Sequence, residues 1–485
     1  MYIFKKKYQM NLQHWIKDEK LAYELASTAG HLWFNNSVDL LLFRKKLVNQ
    51  SPTKILSFHD YGKNIIGTTV DIENTLEVAK AILKLNIVRS RIDIGKLTKE
   101  WCDNRNNYTS ITEFLQEQLA SFMGEDHNSF DSKDVVLYGF GRIGRIVARE
   151  LIRQSGRGEQ LKLKAIVTRG NSDLEILKRI SLLETDSVHG VFDSVIIANL
   201  DKKSISINGQ EVHMIASNSP SDIDYTKYGI DNALLIDNTG VWRDEAGLSQ
   251  HLEANGIDKV LLTAPGKGNI PNIVFGVNQN EFDVDTHKIF SAASCTTNAI
   301  VPPLYVIENN FEIEKGHLET IHSYTNDQNL LDNFHRKTRR GRSAPINMVL
   351  TETGASKAAA KVIPSLKGKL TANAVRIPTP NASLAILMLT LKTKVDVETI
   401  NKTLEEACLR GDLVDEIEYS YSSELVSSDI IGKSSPAIVD SKATLASADG
   451  HNIVLYVWYD NEYGYSRQVM RLAKHIAKVR LAQNY

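Results

Sequence analysis

The segment from residue 134 to residue 151 constrains the fold more than any other part of the chain. An apolar run, residues 134–138, is followed directly by Gly139-Phe140-Gly141-Arg142-Ile143-Gly144 and then by a helix-compatible stretch, residues 145–151. Strand, glycines and helix in this order are typical of dinucleotide binding, because the glycines allow a tight turn and a close approach of the pyrophosphate to the helix N-terminus. A Gly-rich turn without a ligand is the alternative. The segment predicts an α/β fold with a dinucleotide site at Gly139, Gly141, Arg142, Ile143 and Gly144.

The end of the next predicted strand bears on the type of cofactor. The run Leu163–Val167 is followed by Thr168 and Arg169, at a place where an NAD-specific fold carries Asp or Glu for the adenosine ribose hydroxyls. Without that carboxylate a 2′-phosphate is not repelled, and Arg169 could pair with it. The hypothesis is that NADP is accepted. The alternative is that Arg169 is a solvated surface residue.

Cys295 lies in the string SAASCTTNAI, residues 291–300. It follows an extended apolar run and precedes a helix-compatible segment, so it is predicted near a helix N-terminus, where partial positive charge and free N–H groups favour the thiolate. A buried small apolar residue is the alternative for such a cysteine. Its neighbours are poor core material but supply donors for an anion or oxyanion: Ser294, Thr296, Thr297 and Asn298.

The strings SAASCTTNAI and Gly-Phe-Gly-Arg-Ile-Gly-Arg closely resemble the active-site and nucleotide-binding signatures of phosphorylating glyceraldehyde-3-phosphate dehydrogenases. The resemblance continues through most of residues 133–485, and the additional N-terminal segment resembles that of a longer bacterial branch of the family. By this resemblance Cys295 is the nucleophile that attacks the aldehyde. His322, 27 residues after it, matches the family's catalytic base, although a histidine in such a run is by itself more often structural.

The same resemblance implies further roles on the cofactor side. Thr239 and Gly240 are expected beside the nicotinamide half, Thr263 in a neighbouring loop at a strand end, and Asn461 on the nicotinamide carboxamide. The basic segment 334–342 matches the family's S-loop, which lines the cofactor site of a neighbouring subunit. Its expected partners are therefore cofactor phosphates or carboxylates of that subunit, and nucleic acid is the disfavoured alternative.

The implied reaction requires two anion sites. By matching position, Arg376 and Thr325 are candidates for the phosphate of the substrate. The second site, for the attacking inorganic phosphate, is expected to be formed by Ser294, Thr296, Thr353 and Gly354. Arg376 could also serve both sites, since one guanidinium offers five donors.

Charge and cysteine usage narrow the partners. With 57 Lys and Arg against 58 Asp and Glu, the net charge is −1, and nothing global indicates nucleic acid or an anionic membrane. No apolar run approaches the roughly 18 residues that span a bilayer, and the N-terminus resembles neither a signal nor a transit peptide, so the cytoplasm is expected. The three cysteines are widely separated and form no CxxC pair. Neither a disulfide framework nor a metal site is therefore expected.

The chain is predicted to begin with a mainly helical N-terminal extension, residues 1–132. Val78, Ala81, Ile82 and Leu85 have helical spacing, and Ser110 with Glu113 forms a capping box. A polar linker, residues 124–133, leads to a Rossmann-type dinucleotide-binding domain, 133–294 with 461–485, and to an α+β catalytic domain, 295–460, with a mostly antiparallel sheet. The extension has no assigned chemistry: packing on its own subunit or at a subunit interface, and recruitment of a partner, are both open.

The resemblance thus implies an NAD(P)-dependent, phosphorylating aldehyde dehydrogenase that forms a homotetramer and oxidises glyceraldehyde 3-phosphate to 1,3-bisphosphoglycerate through a Cys295 thioester, in glycolysis or gluconeogenesis. One alternative is erythrose-4-phosphate dehydrogenase, which shares the cysteine and histidine but releases a carboxylate by water attack. The other is a non-catalytic regulatory homologue that uses residues 1–132 as a binding module.

Overall fold

The structure, a computed structural model, describes residues 2–124 and 130–484. Residues 125–129 of the predicted linker lie outside the described residues. The chain divides into two compact units. The first comprises Met1–Asp131, Gly156–Glu159 and Val479–Tyr485, and the second comprises Ser132–Ser155 and Gln160–Lys478.

The α-helices of the described residues are α1 (Tyr2–Asn36), α2 (Pro52–Ile66), α3 (Ile72–Leu83), α4 (Ile94–Asn104), α5 (Ile111–Gln118), α6 (Arg142–Arg153), α7 (Asp173–Glu184), α8 (Glu245–Ser249), α9 (Cys295–Phe311), α10 (Ala355–Val362), α11 (Val397–Leu409) and α12 (Tyr463–Ile476). The strands are β1 (Val38–Leu42), β2 (Lys45–Lys46), β3 (Ser90–Asp93), β4 (Lys133–Tyr138), β5 (Leu161–Thr168), β6 (Thr185–Asp186), β7 (Gly190–Val191), β8 (Ile196–Asn199), β9 (Ser204–Ile207), β10 (Gln210–Ala216), β11 (Ala233–Asp237), β12 (Ile257–Leu262), β13 (Ile289–Ser291), β14 (Ile313–Ser323), β15 (Val349–Thr351), β16 (Leu370–Ile377), β17 (Ser383–Leu391), β18 (Ile417–Ser420), β19 (Ala437–Asp440), β20 (Leu445–Ala446), β21 (Asn452–Tyr459) and β22 (Ala482–Asn484).

The first unit combines five helices with a small sheet of order β2-β1-β3-β22, in which β3 pairs in parallel with both β1 and β22. All five residues of β1 are buried, as expected of an apolar strand covered on both faces. The predicted helices are present as α3 and α5, and the Ser110 side chain caps α5 by accepting a hydrogen bond from the Glu113 N–H at 3.2 Å. The mainly helical prediction is confirmed. The sheet is not apparent from the sequence, because its strands are short and β22 comes from the opposite end of the chain.

Gly62 in α2 leaves room for the ring of Phe43, and this contact gives a stability prediction. A Cβ at Gly62 would lie 2.0 Å from Phe43 Cε2. Phe43 is buried, and its N–H and that of Arg44 donate to the Asp93 carboxylate at 2.9 and 2.7 Å. Because the ring has no free space to move into, we expect Gly62→Ala to lower the free energy of unfolding by about 1–3 kcal/mol, measured by urea denaturation.

Gly30 in α1 is the matched control, since a Cβ there meets nothing within 4 Å. We expect Gly30→Ala to leave the free energy of unfolding unchanged or to raise it by up to about 1 kcal/mol, the difference in helix propensity between the two residues. Equal losses for both variants would contradict the steric explanation.

The second unit contains an eight-stranded sheet of order β13-β12-β11-β4-β5-β10-β9-β8. The six strands from β13 to β10 pair in parallel, and β9 and β8 extend the sheet in antiparallel fashion. The chain leaves β4 through α6 to β5 on one side, whereas β11 flanks β4 on the other side. This reversal of strand order is the point at which open α/β sheets bind ligands, at the carboxyl ends of the strands. The Rossmann-type prediction is confirmed.

The other large sheet of this unit has the order β15-β16-β14-β17-β21-β19-β18. Its pairs are antiparallel except β14 with β16 and β18 with β19, as predicted for the catalytic part. Apolar residues of α9 share one core with residues of β17 and β21, among them Ile300, Leu304, Leu387 and Leu455. The packing places the start of α9 near the ends of these strands.

The C-terminal segment contributes to both units. Helix α12 contacts α6, where Arg467 Nη1 lies 2.6 Å from the Glu150 carboxylate. Within the predicted nucleotide-binding range 461–485, residues 479–485 belong to the first unit, where β22 pairs with β3. Residues 156–159, also predicted within that domain, belong to the first unit as well.

Candidate active site

The glycine-rich turn joins β4 to α6 at the carboxyl edge of the parallel sheet. Gly139 has φ of 90°, which favours glycine, and a Cβ at Gly144 would lie 2.4 Å from the Gly139 carbonyl oxygen. Gly141 is the N-cap of α6 and has no side chain that could bond the first amides of the helix. The structure therefore places Gly139, Gly141, Ile143 and Gly144 around an open helix N-terminus, a suitable environment for a phosphate group.

The side chain of Arg142 pairs with two carboxylates of its own chain. Its guanidinium contacts both carboxylate oxygens of Glu462, including Nη2 to Oε2 at 2.6 Å, and lies 3.2 Å from each oxygen of Asp186. Glu462 also contacts His189 Nε2 at 2.9 Å. Two carboxylates thus engage the guanidinium, and only the backbone of Arg142 is left as a contributor to the predicted cofactor site.

Thr168 is the last residue of β5, at the same edge of the sheet. Its Oγ1 donates to the Gly170 carbonyl at 2.8 Å, and Arg169 beside it is exposed. No carboxylate occupies the strand end itself. The preference for NAD or NADP stays a prediction.

Two further strand ends bring Thr239, Gly240 and Thr263 to this edge. Asp237, the buried last residue of β11, accepts hydrogen bonds from Thr239 N–H and Oγ1, both at 2.7 Å. Thr263 Oγ1 donates to the Asp237 carbonyl at 3.0 Å. Gly240 has φ of 62°. Asp237 is not among the predicted site residues, although its position at the end of an apolar run indicates that it lies at this edge of the sheet.

Cys295 is the first residue of α9, and three residues separate it from the end of β13. The structure thus places it at a helix N-terminus, as predicted. The Ser294 side chain caps this helix by accepting a hydrogen bond from Thr297 N–H at 3.0 Å. Ala293, with φ of 54°, precedes the cap. A non-glycine residue in this region costs of order 1 kcal/mol, and such strain is concentrated at functional sites.

His322 lies next to Cys295, with 3.5 Å between Nε2 and Sγ. The other ring nitrogen, Nδ1, lies 2.7 Å from the Ser323 carbonyl oxygen, which can only accept. This shorter contact with an acceptor favours the tautomer with the proton on Nδ1, in which Nε2 presents its lone pair to the sulfur. Arg376 Nη1, 3.1 Å from Nδ1, donates to the same carbonyl at 2.9 Å.

The environment keeps both groups neutral at rest. Burial raises the pKa of the Cys295 thiol, and the charge of Arg376 opposes this effect only in part. Burial, followed by the charge of Arg376, lowers the pKa of His322 to about 3. Desolvation thus opposes the predicted effect of the helix N-terminus, whose backbone N–H groups lower the pKa of the thiol. The sulfur needs a base, and a neutral His322 is positioned as one.

The pKa of His322 gives a pH prediction for stability. In the unfolded chain His322 has the ordinary histidine pKa of about 6.5. In the folded chain its pKa is about 3, so the ring stays neutral over the range between these values. As the pH falls through this window the unfolded state binds one more proton, so the folded state loses stability. When the pH is lowered from about 6.5 to about 4, we expect the free energy of unfolding to fall less for His322→Asn than for the wild-type protein. Urea denaturation at each pH measures this difference. Parallel pH profiles would contradict the buried neutral ring.

Arg376 and Thr325 lie close to His322, at one end of the sheet that contains β14 and β16. Arg376 lies opposite His322 in the register of β16 and β14, and its Nη1 is 3.4 Å from Thr325 Oγ1. Arg376 Nε is buried without a hydrogen-bond partner. A buried guanidinium with an unused donor is suited to an anion. The structure thus brings Cys295, His322, Thr325 and Arg376 into one cluster.

The predicted donors of the second anion site have other partners as well. Thr296 Oγ1 is 3.0 Å from the Tyr459 hydroxyl, and Thr296 is 8% exposed. Ser294 caps α9. Thr353 Oγ1 accepts from Ala355 N–H at 3.2 Å, and Gly354 is the N-cap of α10. Their roles toward phosphate stay predictions. Tyr459 was not among the predicted site residues, although it stands two positions before Asn461.

Asn461 follows β21 and is 6% exposed. Its Oδ1 accepts hydrogen bonds from the hydroxyls of Ser323 and Ser383 at 2.7 and 2.9 Å. Neither serine was predicted as a site residue, because a single serine in a strand carries no recognisable signal. Ser323 therefore contacts both Asn461, through its hydroxyl, and His322, through its carbonyl.

The basic segment 334–342 pairs in part with carboxylates of its own chain. Arg340 contacts Asp327, and Arg342 Nε lies 3.0 Å from Asp332. Four basic residues, 336, 337, 339 and 340, line a cavity of about 470 Å³ together with Glu352. Pairing with a neighbouring subunit stays a prediction.

The described ranges, 2–124 and 130–484, contain no helix that is both long and apolar enough to cross a membrane. These ranges also contain no group of three His, Cys, Asp or Glu side chains that could hold a metal ion.

Comparison with known proteins gives consistent matches. The sequence profile described as the NAD binding domain of glyceraldehyde 3-phosphate dehydrogenase matches residues 133–245, and the profile of the C-terminal domain matches residues 294–461. A glyceraldehyde-3-phosphate dehydrogenase-like protein of Pseudomonas aeruginosa is 47% identical over 453 residues, which cover 93% of this chain and 97% of that protein. Glyceraldehyde-3-phosphate dehydrogenase 2 of Trichormus variabilis is 41% identical and glyceraldehyde-3-phosphate dehydrogenase 1 of Bacillus subtilis is 38% identical, each over 71% of this chain and 98% of the relative.

Proposed function

Since the chain belongs to the glyceraldehyde-3-phosphate dehydrogenase family, we propose that it is a phosphorylating glyceraldehyde-3-phosphate dehydrogenase. It would oxidise glyceraldehyde 3-phosphate to 1,3-bisphosphoglycerate through a thioester on Cys295. The observation that carries the proposal is the contact between Cys295 Sγ and His322 Nε2 at 3.5 Å, beside the 2.7 Å contact of Nδ1 with the Ser323 carbonyl.

The geometry supports a defined sequence of proton movements. His322 Nε2 takes the thiol proton while Sγ bonds to the aldehyde carbon, and it returns this proton to the former carbonyl oxygen. The same nitrogen then takes the proton from that hydroxyl as the hydride leaves. Inorganic phosphate attacks the resulting thioester, the bond between the acyl carbon and the Cys295 sulfur breaks, and the leaving sulfur takes the proton that His322 holds, which restores the resting state. His322 can carry out these transfers because its Nε2 is unprotonated when it accepts a proton and protonated when it gives that proton back.

The residues at the sheet edge fit a dinucleotide. Gly139 and Gly144 leave no Cβ between the turn and the helix, and the first amides of α6 have no side-chain cap. These amides would bind the pyrophosphate, and Asn461 with Thr239 would contact the nicotinamide half. When bound, the nicotinamide supplies the hydride acceptor.

The surroundings of Arg376 support a role in binding the phosphate of the substrate. Its buried Nε has no partner, and its Nη1 lies between the Ser323 carbonyl and Thr325. We assign the phosphate of the substrate to Arg376 and Thr325. The attacking phosphate would then be bound by Ser294, Thr296, Thr353 and Gly354, after the hydroxyls of the first two exchange their present partners.

We further propose that NADP is accepted, because Thr168 replaces a carboxylate and Arg169 beside it is exposed. The nearby Glu175 carboxylate is held by Ser172 N–H and Oγ at 3.0 and 2.7 Å. Arg169→Ala should lower kcat/KM for NADP at least about tenfold, the usual worth of a charged hydrogen bond, and leave that for NAD unchanged. Arg179→Ala, on α7, is the control. Equal losses with both cofactors would contradict this assignment.

Three finer assignments rest on the family alone. A homotetramer and a cytoplasmic location are proposed by analogy with it. Both directions of the reaction are compatible with the site, and a preference for NADPH would favour gluconeogenesis over glycolysis.

The decisive assay measures the initial rate with glyceraldehyde 3-phosphate, with NAD and with NADP, each with and without inorganic phosphate. We expect turnover that requires phosphate. Turnover that is indifferent to phosphate would support erythrose-4-phosphate dehydrogenase, to be checked with erythrose 4-phosphate as substrate. Absence of turnover with both cofactors and both substrates would support a non-catalytic regulatory role that involves residues 1–132.

A further inference from the structure

Two buried serines converge on the side chain of Asn461. Ser323 ends β14 and Ser383 begins β17, and they are 0% and 1% exposed. Their hydroxyl oxygens lie 2.7 and 2.9 Å from Asn461 Oδ1 and 3.1 Å from each other. Each of the three side chains comes from a different strand end of the second sheet, so the arrangement depends on the tertiary fold.

The hydrogen-bond pattern fixes which way the amide of Asn461 points. Ser383 Oγ accepts from the Ser323 N–H at 3.2 Å, which leaves its own proton for Asn461 Oδ1. With the amide reversed, Nδ2 would take the place of Oδ1, and both serine hydroxyls would lose their acceptor at 2.7 and 2.9 Å; the Ser323 proton would be left with Ser383 Oγ at 3.1 Å or the Ala382 carbonyl at 3.5 Å. Oδ1 with its two lone pairs therefore faces the serines. Nδ2 is the donor that remains.

Ser323 connects this amide to the catalytic base. Its carbonyl accepts from His322 Nδ1 at 2.7 Å, while its hydroxyl donates to Asn461. Ser383 is preceded by Ala382, a buried non-glycine residue with φ of 68°. Strain of this kind, about 1–2 kcal/mol, is retained where the surroundings determine a functional geometry.

We propose that Ser323 and Ser383 are positioning residues that hold the Asn461 amide with Nδ2 toward the carboxamide oxygen of the nicotinamide. This inference rests on the proposed function, since it assigns the nicotinamide half to Asn461. Locking the amide gives one orientation of the carboxamide. One face of the ring is thereby presented to the substrate.

Binding measurements test the inference without turnover. Isothermal titration calorimetry compares NAD with ADP-ribose, which lacks the nicotinamide, on the wild-type full-length chain and on Ser323→Ala, Ser383→Ala and the double variant. We expect each single variant to bind NAD about three- to tenfold more weakly, the usual effect of one hydrogen bond. ADP-ribose affinity should not change. Ser323→Ala retains the backbone carbonyl, so the His322 tautomer is preserved.

Ser441→Ala is the matched control, because Ser441 is also buried and donates to the Ser420 carbonyl at 2.7 Å away from the site. It should bind both ligands like the wild type. Unchanged NAD affinity in the double variant would overturn the proposal, as would a parallel loss for ADP-ribose, which indicates a purely structural effect. These comparisons are independent of the phosphate-dependent assay, so the two proposals fail separately.

Discussion

Cys295→Ser should abolish phosphate-dependent reduction of the cofactor, with a loss of more than about a thousandfold in kcat. Serine at the start of α9 nearly keeps the size of the side chain, but its hydroxyl is a far weaker nucleophile than a thiol, because it is much harder to deprotonate. The measurement is the initial rate with glyceraldehyde 3-phosphate, together with mass spectrometry of the protein to detect the acyl adduct. No adduct should form on the variant.

Cys408→Ser provides the control, since Cys408 is also in no disulfide and its Sγ donates to the Glu405 carbonyl at 3.0 Å in α11. Its turnover and acyl adduct should match those of the wild type. If Cys295→Ser retained phosphate-dependent turnover, the thioester mechanism would be excluded.

His322→Asn should lower kcat by about a hundred- to ten-thousandfold, the usual contribution of a general base. Asparagine can still donate to the Ser323 carbonyl, so the local structure is retained, but nothing accepts the thiol proton from Cys295. Alkylation by iodoacetamide at pH 7 should also be slower, because the partly buried thiol has a raised pKa and loses its base.

His317 supplies the comparison for this variant. It belongs to the same strand, β14, and its Nδ1 lies 2.8 Å from Thr371 Oγ1 on the exposed part of the sheet. We expect His317→Asn to leave kcat within about twofold of the wild type, as is usual for surface substitutions. A comparable loss in both histidine variants would show that the effect is structural and would remove His322 from its catalytic role.

The local motifs of the second unit are predictable from sequence because each is contiguous. The strand before Gly139, the helix after Gly141 and the helix start at Cys295 all depend on neighbouring residues, and the structure contains them. The partner of Cys295 is different: periodicity gives no reason to select His322 among the histidines, and only the family resemblance did so. Its low pKa depends on burial and on Arg376, which is 54 residues away.

The misses have a common physical origin. Arg142 appears in the nucleotide-binding string, yet its side chain is taken by Glu462, 320 residues away. Ser323 and Ser383 are ordinary strand residues until β14 and β17 bring them to Asn461. The thiol pKa of Cys295 was predicted from the helix terminus, a local effect, and the opposing desolvation could be known only from the packing.

The pairing of β22 with β3 has a consequence for how the protein is made. The sheet of the first unit cannot be completed until residues 482–484 leave the ribosome, after every residue of the second unit has been synthesised. A nascent or truncated chain would therefore expose one edge of β3, with unpaired backbone groups that invite pairing with other chains. Ser90 and Ile92 of that edge are fully buried in the finished fold. Quality control that acts on exposed strand edges would recognise chains that lack their last residues.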